Sequence, residues 1–293
     1  MMQDRDYVLK VMDRDQNVRL YLARTTSLVQ EAHQRHETSA TASAALGRVM
    51  TAAVMMASDL KGDKDSLTLR VEGNGPAGLV LATADSHGGV RGFIANPSAD
   101  VPTLKAGKLA VGELIGPAGF LEVTRDMGLK QPFTGRTPLV SGEIAEDLAH
   151  YYLVSEQIPS LISLGVLVGT DLNVQAAGGL FVQALPEARE DVLEMIEKNV
   201  FGMGNLSNAL DSYASLEDML RIIMQGIEYD IVGEQEIGFR CTCSWERLGN
   251  ILVNMSNDQL ALEPECQGLE VVCEFCRERY QYSLQELEAL GKK

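Results

Sequence analysis

Apolar and polar residues alternate in several short stretches of the first 186 residues, and alternation with a period of two is typical of strands. The predicted strands are Val18–Arg24, Leu67–Val71, Gly78–Ala84, Val90–Ala95, Phe120–Asp126, Gly165–Leu172 and Gly179–Leu185. Turn-forming residues separate them, as at Gly73–Pro76 and Asp85–Gly89. Short turns join neighbouring antiparallel strands, so we expect a mainly antiparallel sheet.

Two stretches of the same region have the pattern of helices. Thr38–Leu60 is rich in alanine and methionine and lacks proline, which predicts a long, largely buried helix. A second helix is predicted from about Ile144 to Glu156, before Pro159. Together with the strands, these helices predict an α+β fold in which residues 1–186 form a large N-terminal domain.

Beyond Pro186 the apolar spacing becomes helical. One helix is predicted at Glu187–Val200 and a second begins near Ser215. Their apolar residues are Val192, Leu193, Met195, Ile196, Val200, Leu216, Met219, Leu220, Ile223 and Met224. This segment has too little apolar bulk for a core of its own, so we expect residues 187–232 to be a helical linker that lies against another part of the chain.

Residues 233–293 contain all five cysteines and are predicted to form a small C-terminal domain. The predicted elements are a strand near Gly238–Cys241, a helix at Trp245–Met255, strands at Leu269–Val272 and Arg279–Tyr282, and a closing helix after Ser283. Ser283 and Glu286 have the spacing of a capping box. So few residues make a thin core, and a bound metal would supply much of its stability.

The net charge and the short apolar runs disfavour some classes of partner. The chain of 293 residues has a formal net charge of −16, and residues 181–293 contain 21 acidic and 9 basic side chains. Such acidity disfavours a nucleic-acid partner. The charged N-terminus does not resemble a signal peptide, and no apolar run approaches the roughly 20 residues of a membrane helix. We therefore expect a cytoplasmic protein without a membrane partner.

Four cysteines form two close pairs, Cys241 with Cys243 and Cys273 with Cys276, and 29 residues separate the pairs. Four thiolates at this spacing fit one tetrahedral Zn²⁺ per chain in the reduced state. The same sulfurs can leave the metal as disulfides, so a structural zinc site and a redox sensor both remain open. A thioredoxin-like use of Cys273 and Cys276 is disfavoured, because that motif needs a helix after its strand.

A zinc site of this kind would make the stability of the C-terminal domain depend on its thiols. Structural zinc contributes on the order of 10–16 kcal/mol to the folding of small modules. A disulfide between Cys273 and Cys276 would remove two ligands at once, and so short a loop constrains the unfolded chain only weakly. Oxidation is therefore expected to unfold the cysteine domain and to remove support from the helices of residues 187–230.

Three further features have simpler explanations. Gly73–Gly78 has the spacing of a dinucleotide-binding loop, but a strand follows it and it contains Pro76, so a hairpin turn is predicted. His33 and His36 have no third partner for a metal, so a polar helix surface is predicted. Cys266 is interpreted as a bystander thiol.

Short characteristic motifs are distributed along nearly the whole chain. The N-terminal ones are Arg35-His36, Leu46-Gly47-Arg48, Leu60-Lys61, Gly73-Asn74-Gly75-Pro76, Val90-Arg91-Gly92 and Tyr152–Ser160. Those of the cysteine region are Cys241-Thr242-Cys243-Ser244, Glu246-Arg247 and Glu270–Cys276 followed by Tyr280. These motifs resemble the heat-shock protein 33 family of bacterial redox-regulated chaperones. The cysteine spacing is highly specific to that family, whereas Cys266 departs from its four-cysteine pattern.

The resemblance implies an ATP-independent chaperone that binds unfolded or partially unfolded client proteins and prevents their aggregation under oxidative stress. It implies Zn²⁺ on Cys241, Cys243, Cys273 and Cys276 in a reduced, inactive form. It also implies that oxidation releases zinc, forms the disulfides Cys241–Cys243 and Cys273–Cys276, unfolds the linker and favours a homodimer. No enzymatic activity is expected. The alternatives are a thiol–disulfide oxidoreductase and a constitutive zinc-ribbon interaction module.

Overall fold

The structure, a computed structural model, describes residues 5–102, 108–255 and 268–290. In chain order its strands are β1 (Tyr7–Asp13), β2 (Val18–Arg24), β3 (Ser66–Glu72), β4 (Leu79–Asp85), β5 (Gly89–Ile94), β6 (Phe120–Asp126), β7 (Phe133–Pro138), β8 (Ser160–Val168), β9 (Val174–Ala184), β10 (Tyr229–Glu236), β11 (Gly238–Phe239), β12 (Gly268–Val272) and β13 (Arg279–Ser283). Its helices are α1 (Thr26–His36), α2 (Ala40–Ala57), α3 (Val111–Ile115), α4 (Ala145–Tyr151), α5 (Glu190–Met203), α6 (Leu206–Ser212), α7 (Leu216–Ile223), α8 (Trp245–Val253) and α9 (Leu284–Leu290), with a π-helical turn at Tyr152–Glu156. The chain divides into two units, Met1–Phe239 and Arg240–Lys293.

A five-stranded antiparallel sheet in the order β10-β1-β2-β9-β8 lies within the first unit and has buried apolar residues on both faces. Successive side chains of a strand point to opposite faces. Residues of one face, among them Val8, Tyr21, Ala23 and Phe181, join the core around α1 and α2. We call the opposite face the linker face; its buried residues are Leu9, Val11, Leu20, Leu22, Leu180 and Val182.

The second sheet has the order β11-β5-β4-β3-β6-β7 and is antiparallel except where β11 runs parallel to β5. Buried and partly exposed residues alternate along β3, so Leu67, Leu69 and Val71 point to the core. The loop at Gly73–Gly78 joins β3 to the antiparallel strand β4, which confirms the predicted hairpin turn. A Cβ at Gly73 would lie 2.2 Å from the Ile115 carbonyl oxygen, so glycine is required by this close approach.

Helix α2 contacts strands of both large sheets and is the centre of the core. The Ser39 side chain accepts a hydrogen bond from the Ala42 N–H at 3.1 Å and caps the helix. Among the described residues, α2 is the one helix long and apolar enough to cross a membrane, and 89% of it is buried inside the protein. It is therefore a core helix, as the alanine-rich sequence predicts.

Helices α5, α6 and α7 cover the linker face. Their buried residues are Val192, Ile196, Leu206, Ala209, Leu210, Leu216, Met219, Leu220 and Ile223. With 7 and 8 residues, α6 and α7 are too short to be stable alone, so packing on the sheet holds them. This arrangement confirms that the helical segment lies against another part of the chain.

Several elements differ from the sequence-based expectations. The strand predicted at Gly165–Leu172 is β8, which ends at Val168 because the chain turns back through Gly169 and Leu172, whose φ is +66°. Strands β1, β7 and β10 and helix α6 were not predicted. The strand predicted near Gly238–Cys241 is confined to two residues, which pair with β5 in the first unit. The division into three functional domains remains a prediction.

The prediction of a polar surface for His33 and His36 is wrong. His36 is buried, and His33 is partly buried. The Nδ1 atom of His33 lies 3.2 Å from the Thr38 hydroxyl and 3.0 Å from the Ser43 hydroxyl. The histidine therefore ties the end of α1 to the start of α2.

The second unit has a smaller architecture. Strands β12 and β13 form an antiparallel hairpin, and helices α8 and α9 contact each other. Ser283 accepts a hydrogen bond from the Glu286 N–H at 3.3 Å, and the Glu286 carboxylate accepts one from the Ser283 N–H at 2.8 Å, which confirms the capping box. The buried apolar side chains and thiols of its described residues are Leu252, Cys273, Cys276 and Tyr282.

Candidate metal centre

Two structural elements bring the paired cysteines together in the second unit. Cys241 and Cys243 lie in the irregular segment before α8, which is capped by the Ser244 side chain accepting from the Arg247 N–H at 3.2 Å. Cys273 and Cys276 lie at the turn between β12 and β13. The Cys273 carbonyl accepts from the Arg277 N–H at 2.8 Å, and Arg277 has a φ of +61°, which turns the chain sharply into β13.

The four sulfurs all lie within 4.8 Å of one another. Cys243 Sγ lies 3.3 Å from Cys276 Sγ, and Cys241 Sγ lies 3.8 Å from Cys273 Sγ. A tetrahedron with metal–sulfur bonds of about 2.3 Å has sulfur–sulfur edges of about 3.8 Å, so the arrangement fits one tetrahedral metal ion. Disulfide bonds are about 2.05 Å long, so no disulfide joins these four cysteines here.

The chemistry of the donor set favours a soft or borderline cation. The predicted ligand residues come together as a group of four, with Cys273 and Cys276 buried and the other two partly exposed. Among the described residues, this is the one group of three or more cysteine, histidine or carboxylate side chains placed to hold a metal. All-thiolate tetrahedra are typical of structural zinc sites and of iron–sulfur sites.

Burial raises the pKa of the Cys243 and Cys276 thiols. A thiol must lose its proton to bind a metal, so metal binding at this site releases protons and depends on pH. The hydrogen bond with Cys243 raises the pKa of the Tyr280 hydroxyl, because that bond favours the protonated phenol. Tyr280 therefore remains a hydrogen-bond donor at neutral pH.

Hydrogen bonds from outside the cysteine group reach the sulfurs of Cys276 and Cys243. The Glu278 N–H donates to the Cys276 sulfur. The Tyr280 hydroxyl lies 3.2 Å from Cys243 Sγ. Sequence analysis did not assign Tyr280 to the site, because it lies four positions after the nearest cysteine and its hydroxyl reaches Cys243 only in the folded hairpin of β12 and β13.

The arginines near the cysteines in sequence have other contacts. Arg247 Nη1 donates to the Thr242 hydroxyl at 3.1 Å, which fixes the residue between Cys241 and Cys243. Arg279 pairs with Glu270 at 2.9 Å, and Arg277 lies 3.9 Å from Glu274. These carboxylates offset much of the positive charge of Arg277 and Arg279.

The single tryptophan supports the same unit. The Trp245 ring stacks on Tyr282 with 5.1 Å between centroids, and its Nε1–H donates to the Gln281 carbonyl at 3.2 Å. The Tyr282 hydroxyl donates to the Trp245 carbonyl at 2.8 Å. Trp245 is thus a natural fluorescence reporter for the fold around the cysteines. Cys266, predicted to be a bystander, lies outside the described residues.

Comparison with known proteins identifies the family of this chain. A family model described as Hsp33 protein matches residues 6–283. The chain belongs to the Hsp33 protein family. A 33 kDa chaperonin of Desulforamulus reducens is 45% identical over 98% of this chain and 98% of its own length. A second, from Clostridioides difficile, is 43% identical over 99% of each chain.

A solved structure agrees with this family membership. The crystal structure of a 33 kDa chaperonin from Thermotoga maritima, named as a heat shock protein 33 homolog, matches with a TM-score of 0.89 and 39% identity over 98% of both chains. The resemblance of the sequence motifs to the family is thereby confirmed, as is the α+β fold with mainly antiparallel sheets. Hsp33 proteins are a chaperone family, and a four-cysteine cluster is the site that this member offers for metal or redox chemistry.

Proposed function

We propose that this chain is an oxidation-activated chaperone that holds unfolding proteins without ATP. The observation that carries the proposal is the group of four sulfurs within 4.8 Å of one another in the second unit. In the reduced, inactive form Cys241, Cys243, Cys273 and Cys276 hold one Zn²⁺. The bound ion would supply a crosslink among four thiolates, and with it the folding energy of residues 240–290.

Oxidation by a peroxide is the activating step. Two thiolates lose two electrons to form one disulfide, and hydrogen peroxide accepts these electrons together with two protons from solvent and leaves as two waters. We assign the disulfides Cys241–Cys243 and Cys273–Cys276, as the family resemblance implies. Each disulfide closes a very short loop and therefore constrains the unfolded chain only weakly. It does not replace the stabilisation that the metal supplied, so the unit unfolds.

The surface that binds clients is proposed to be the linker face. Helix α5 has only two buried residues among fourteen, Val192 and Ile196, so it is weakly docked. None of the eight residues of β10 is buried, and Ile231 and Val232 are exposed. Since β10 lies between α7 and the cysteine unit in the chain, unfolding that begins at Cys241 passes through β10 to the helices and uncovers the linker face.

An uncovered linker face is suited to unfolding proteins. It presents a contiguous set of apolar residues from three strands, and exposed apolar patches of that extent are typical of protein-binding surfaces. The partners are unfolded or partially unfolded client proteins, and the oxidised form is a homodimer. Four cysteines without a disulfide fit the reducing cytoplasm, and the net charge of −16 disfavours nucleic acid.

The proposal does not include catalysis. A thioredoxin-like active site presents its Cys-x-x-Cys motif at a helix N-terminus, where the thiolate is stabilised. Cys273 and Cys276 instead lie between two strands, and burial raises the pKa of Cys276. We therefore expect stoichiometric oxidation of these thiols rather than turnover of disulfide substrates.

The test measures light scattering of a heat-labile protein without ATP. Three forms are compared: the reduced zinc-loaded chain, the peroxide-treated chain, and the treated chain returned to thiol reductant and zinc. We expect suppression of aggregation only by the second. Equal protection by the reduced form would refute the switch and leave a constitutive zinc-ribbon module. Multiple turnovers of a disulfide substrate would identify an oxidoreductase.

A further inference from the structure

The sulfurs of Cys276 and Cys243 have different kinds of hydrogen-bond partner. Cys276 accepts from a backbone N–H, that of Glu278, which every residue except proline would provide at that position. The contacts of Cys243 are the Cys276 sulfur at 3.3 Å and the Tyr280 hydroxyl at 3.2 Å. The partner of Cys243 outside the cysteine group is therefore a side-chain hydroxyl, which one substitution removes without altering the backbone.

We propose that Tyr280 is a positioning residue that donates a hydrogen bond to the Cys243 thiolate, retains metal at the site and slows its oxidation. This proposal rests on the proposed function, because it assigns a regulator of the same thiols. A thiolate only accepts hydrogen bonds, so the phenol must be the donor once Cys243 is deprotonated.

The fold holds the Tyr280 hydroxyl at this position. Tyr280 is the second residue of β13 and pairs with Val271 of β12, the strand that leads into the cysteine turn. The turn is closed on both sides, since Cys273 N–H also donates to the Glu278 carbonyl at 2.9 Å. Tyr280 is half-buried, which restricts movement of its ring away from Cys243.

Two consequences follow from a donor on this sulfur. Four thiolates on a dication leave a net charge of −2, and a hydrogen bond delocalises part of it, so the bond favours the metal-bound state. Loss of such partners typically reduces metal affinity by 10- to 100-fold. The bond also withdraws electron density from the sulfur, which lowers its nucleophilicity towards a peroxide. Tyr280 thus sets how much oxidant is needed to open the site.

The test compares Tyr280→Phe with Tyr282→Phe in the full-length chain. Both variants remove one hydroxyl from the same strand, but the Tyr282 hydroxyl donates to the Trp245 carbonyl rather than to a sulfur. Trp245 fluorescence first establishes that each reduced, zinc-loaded variant is folded. Zinc affinity is then measured by competition with a chelating dye, and zinc release is followed after hydrogen peroxide is added at saturating zinc.

Tyr280→Phe is expected to bind zinc about 10-fold more weakly. Its zinc release by peroxide is expected to be about threefold faster, from the dependence of thiolate reactivity on basicity. Substitution of Co²⁺ for zinc provides a readout that lost stability alone does not change. Without the hydrogen bond, the sulfur-to-cobalt charge-transfer band moves to lower energy in Tyr280→Phe, while Tyr282→Phe keeps the position of the unsubstituted protein.

The outcomes separate this proposal from the one on which it rests. If the unsubstituted chain binds one metal ion and both variants show the same cobalt band and the same release rate, Tyr280 has no role at the sulfur and the inference is wrong. If the unsubstituted chain binds no metal at all, the proposed function fails, and the role of Tyr280 fails with it. A red-shifted band and faster release confined to Tyr280→Phe support it.

Discussion

The two units of this chain are stabilised by different means. In the first, α2 is packed between two large sheets, and α5 to α7 cover the remaining face of one of them, so apolar contacts from many residues hold the fold. In the second, the buried apolar and thiol side chains of the described residues are four, and two of them are the thiols of Cys273 and Cys276.

Under the proposed function, this difference would let one polypeptide combine a stable scaffold with an oxidation-sensitive unit. Burial of each large apolar side chain stabilises a fold by about 1.5–3 kcal/mol, and oxidants do not affect most such contacts. A unit with two thiols among its few buried side chains would, under the proposed function, lose its main stabilisation when those thiols react. Helices α6 and α7 are too short to be stable alone, so they depend on the linker face, which they also cover.

The largest expected effect on zinc binding and folding comes from the loss of one metal-ligating cysteine. We expect Cys273→Ser to bind no zinc and to unfold residues 240–290, because a stabilisation on the order of 10 kcal/mol is removed. The first unit should stay folded. Metal analysis, Trp245 fluorescence and amide hydrogen exchange measure the three parts of this prediction. Cys266→Ser is the matched control and should retain one zinc per chain; normal metal content in Cys273→Ser would exclude Cys273 as a ligand.

The second prediction weakens the cover of the linker face while leaving the metal site intact. Leu220 on α7 is fully buried against that face, so Leu220→Ala should destabilise docking of the helices by about 2–5 kcal/mol. Amide exchange in α5 to α7 should accelerate, and the reduced, zinc-loaded variant should suppress aggregation without peroxide.

Phe201 provides the control for this substitution. It lies on α5 with 90% of its surface exposed, so Phe201→Ala removes a large apolar side chain without removing a buried contact. Exchange rates in the helices should then be unchanged. If Leu220→Ala accelerates exchange but the reduced protein stays inactive, the linker face is not the client surface.

The third prediction concerns pH, to which the first unit responds through Asp6. Its carboxylate accepts from the Leu28 N–H at 2.6 Å and the Ser27 N–H at 3.2 Å, at the start of α1. Burial nevertheless raises the pKa of Asp6 to about 6, with Arg24 and the backbone hydrogen bonds acting in the opposite direction. The folded state therefore binds the proton more tightly than the unfolded chain, in which the pKa is about 3.9.

The sign of the pH effect follows from this difference. Between about pH 4 and pH 6 the folded state carries more protons at this site, so stability falls as pH rises through that window, by up to about 3 kcal/mol. Asp6→Asn mimics the protonated form and should lack this decrease. Urea unfolding of both proteins at pH 4 and pH 7 measures it; parallel pH profiles would show that Asp6 ionises normally.

The sequence predicted those features that depend on local chemistry. Alternation in β3 and β4, the alanine-rich α2 and the capping box at Ser283 are properties of neighbouring residues, and the structure confirms them. The four cysteines were predicted as one group because two close pairs restrict the possible geometry.

Features that depend on contacts between distant segments were not predicted. Strand β10 is mostly exposed and lacks an apolar pattern; it is a strand because β1 offers an unpaired edge. His36 is buried by elements that pack over α1, which its helical spacing does not reveal. The contact between Tyr280 and Cys243 joins residues 37 apart and exists only in the folded hairpin.

The smallest effects come from one substitution made at three helix caps. Ser283, Ser215 and Ser39 each accept a hydrogen bond from the backbone N–H three residues ahead, at the starts of α9, α7 and α2. Replacement by alanine should cost about 1 kcal/mol at each site. Their effects on zinc affinity should differ, because metal binding is coupled only to the segments that fold with it.

Ser283→Ala destabilises the metal-binding unit itself and should weaken zinc binding about fivefold, the equivalent of about 1 kcal/mol. Ser39→Ala lies in the core of the first unit and should leave zinc affinity unchanged. Ser215→Ala decides whether the linker is coupled to the metal, because coupling between two sites is reciprocal. If loss of zinc releases the helices, weaker helices must weaken zinc binding, and we expect a decrease of about two- to fivefold. A zinc affinity equal to that of Ser39→Ala would mean that α7 stays docked when the metal leaves, and that the linker face is never uncovered by oxidation.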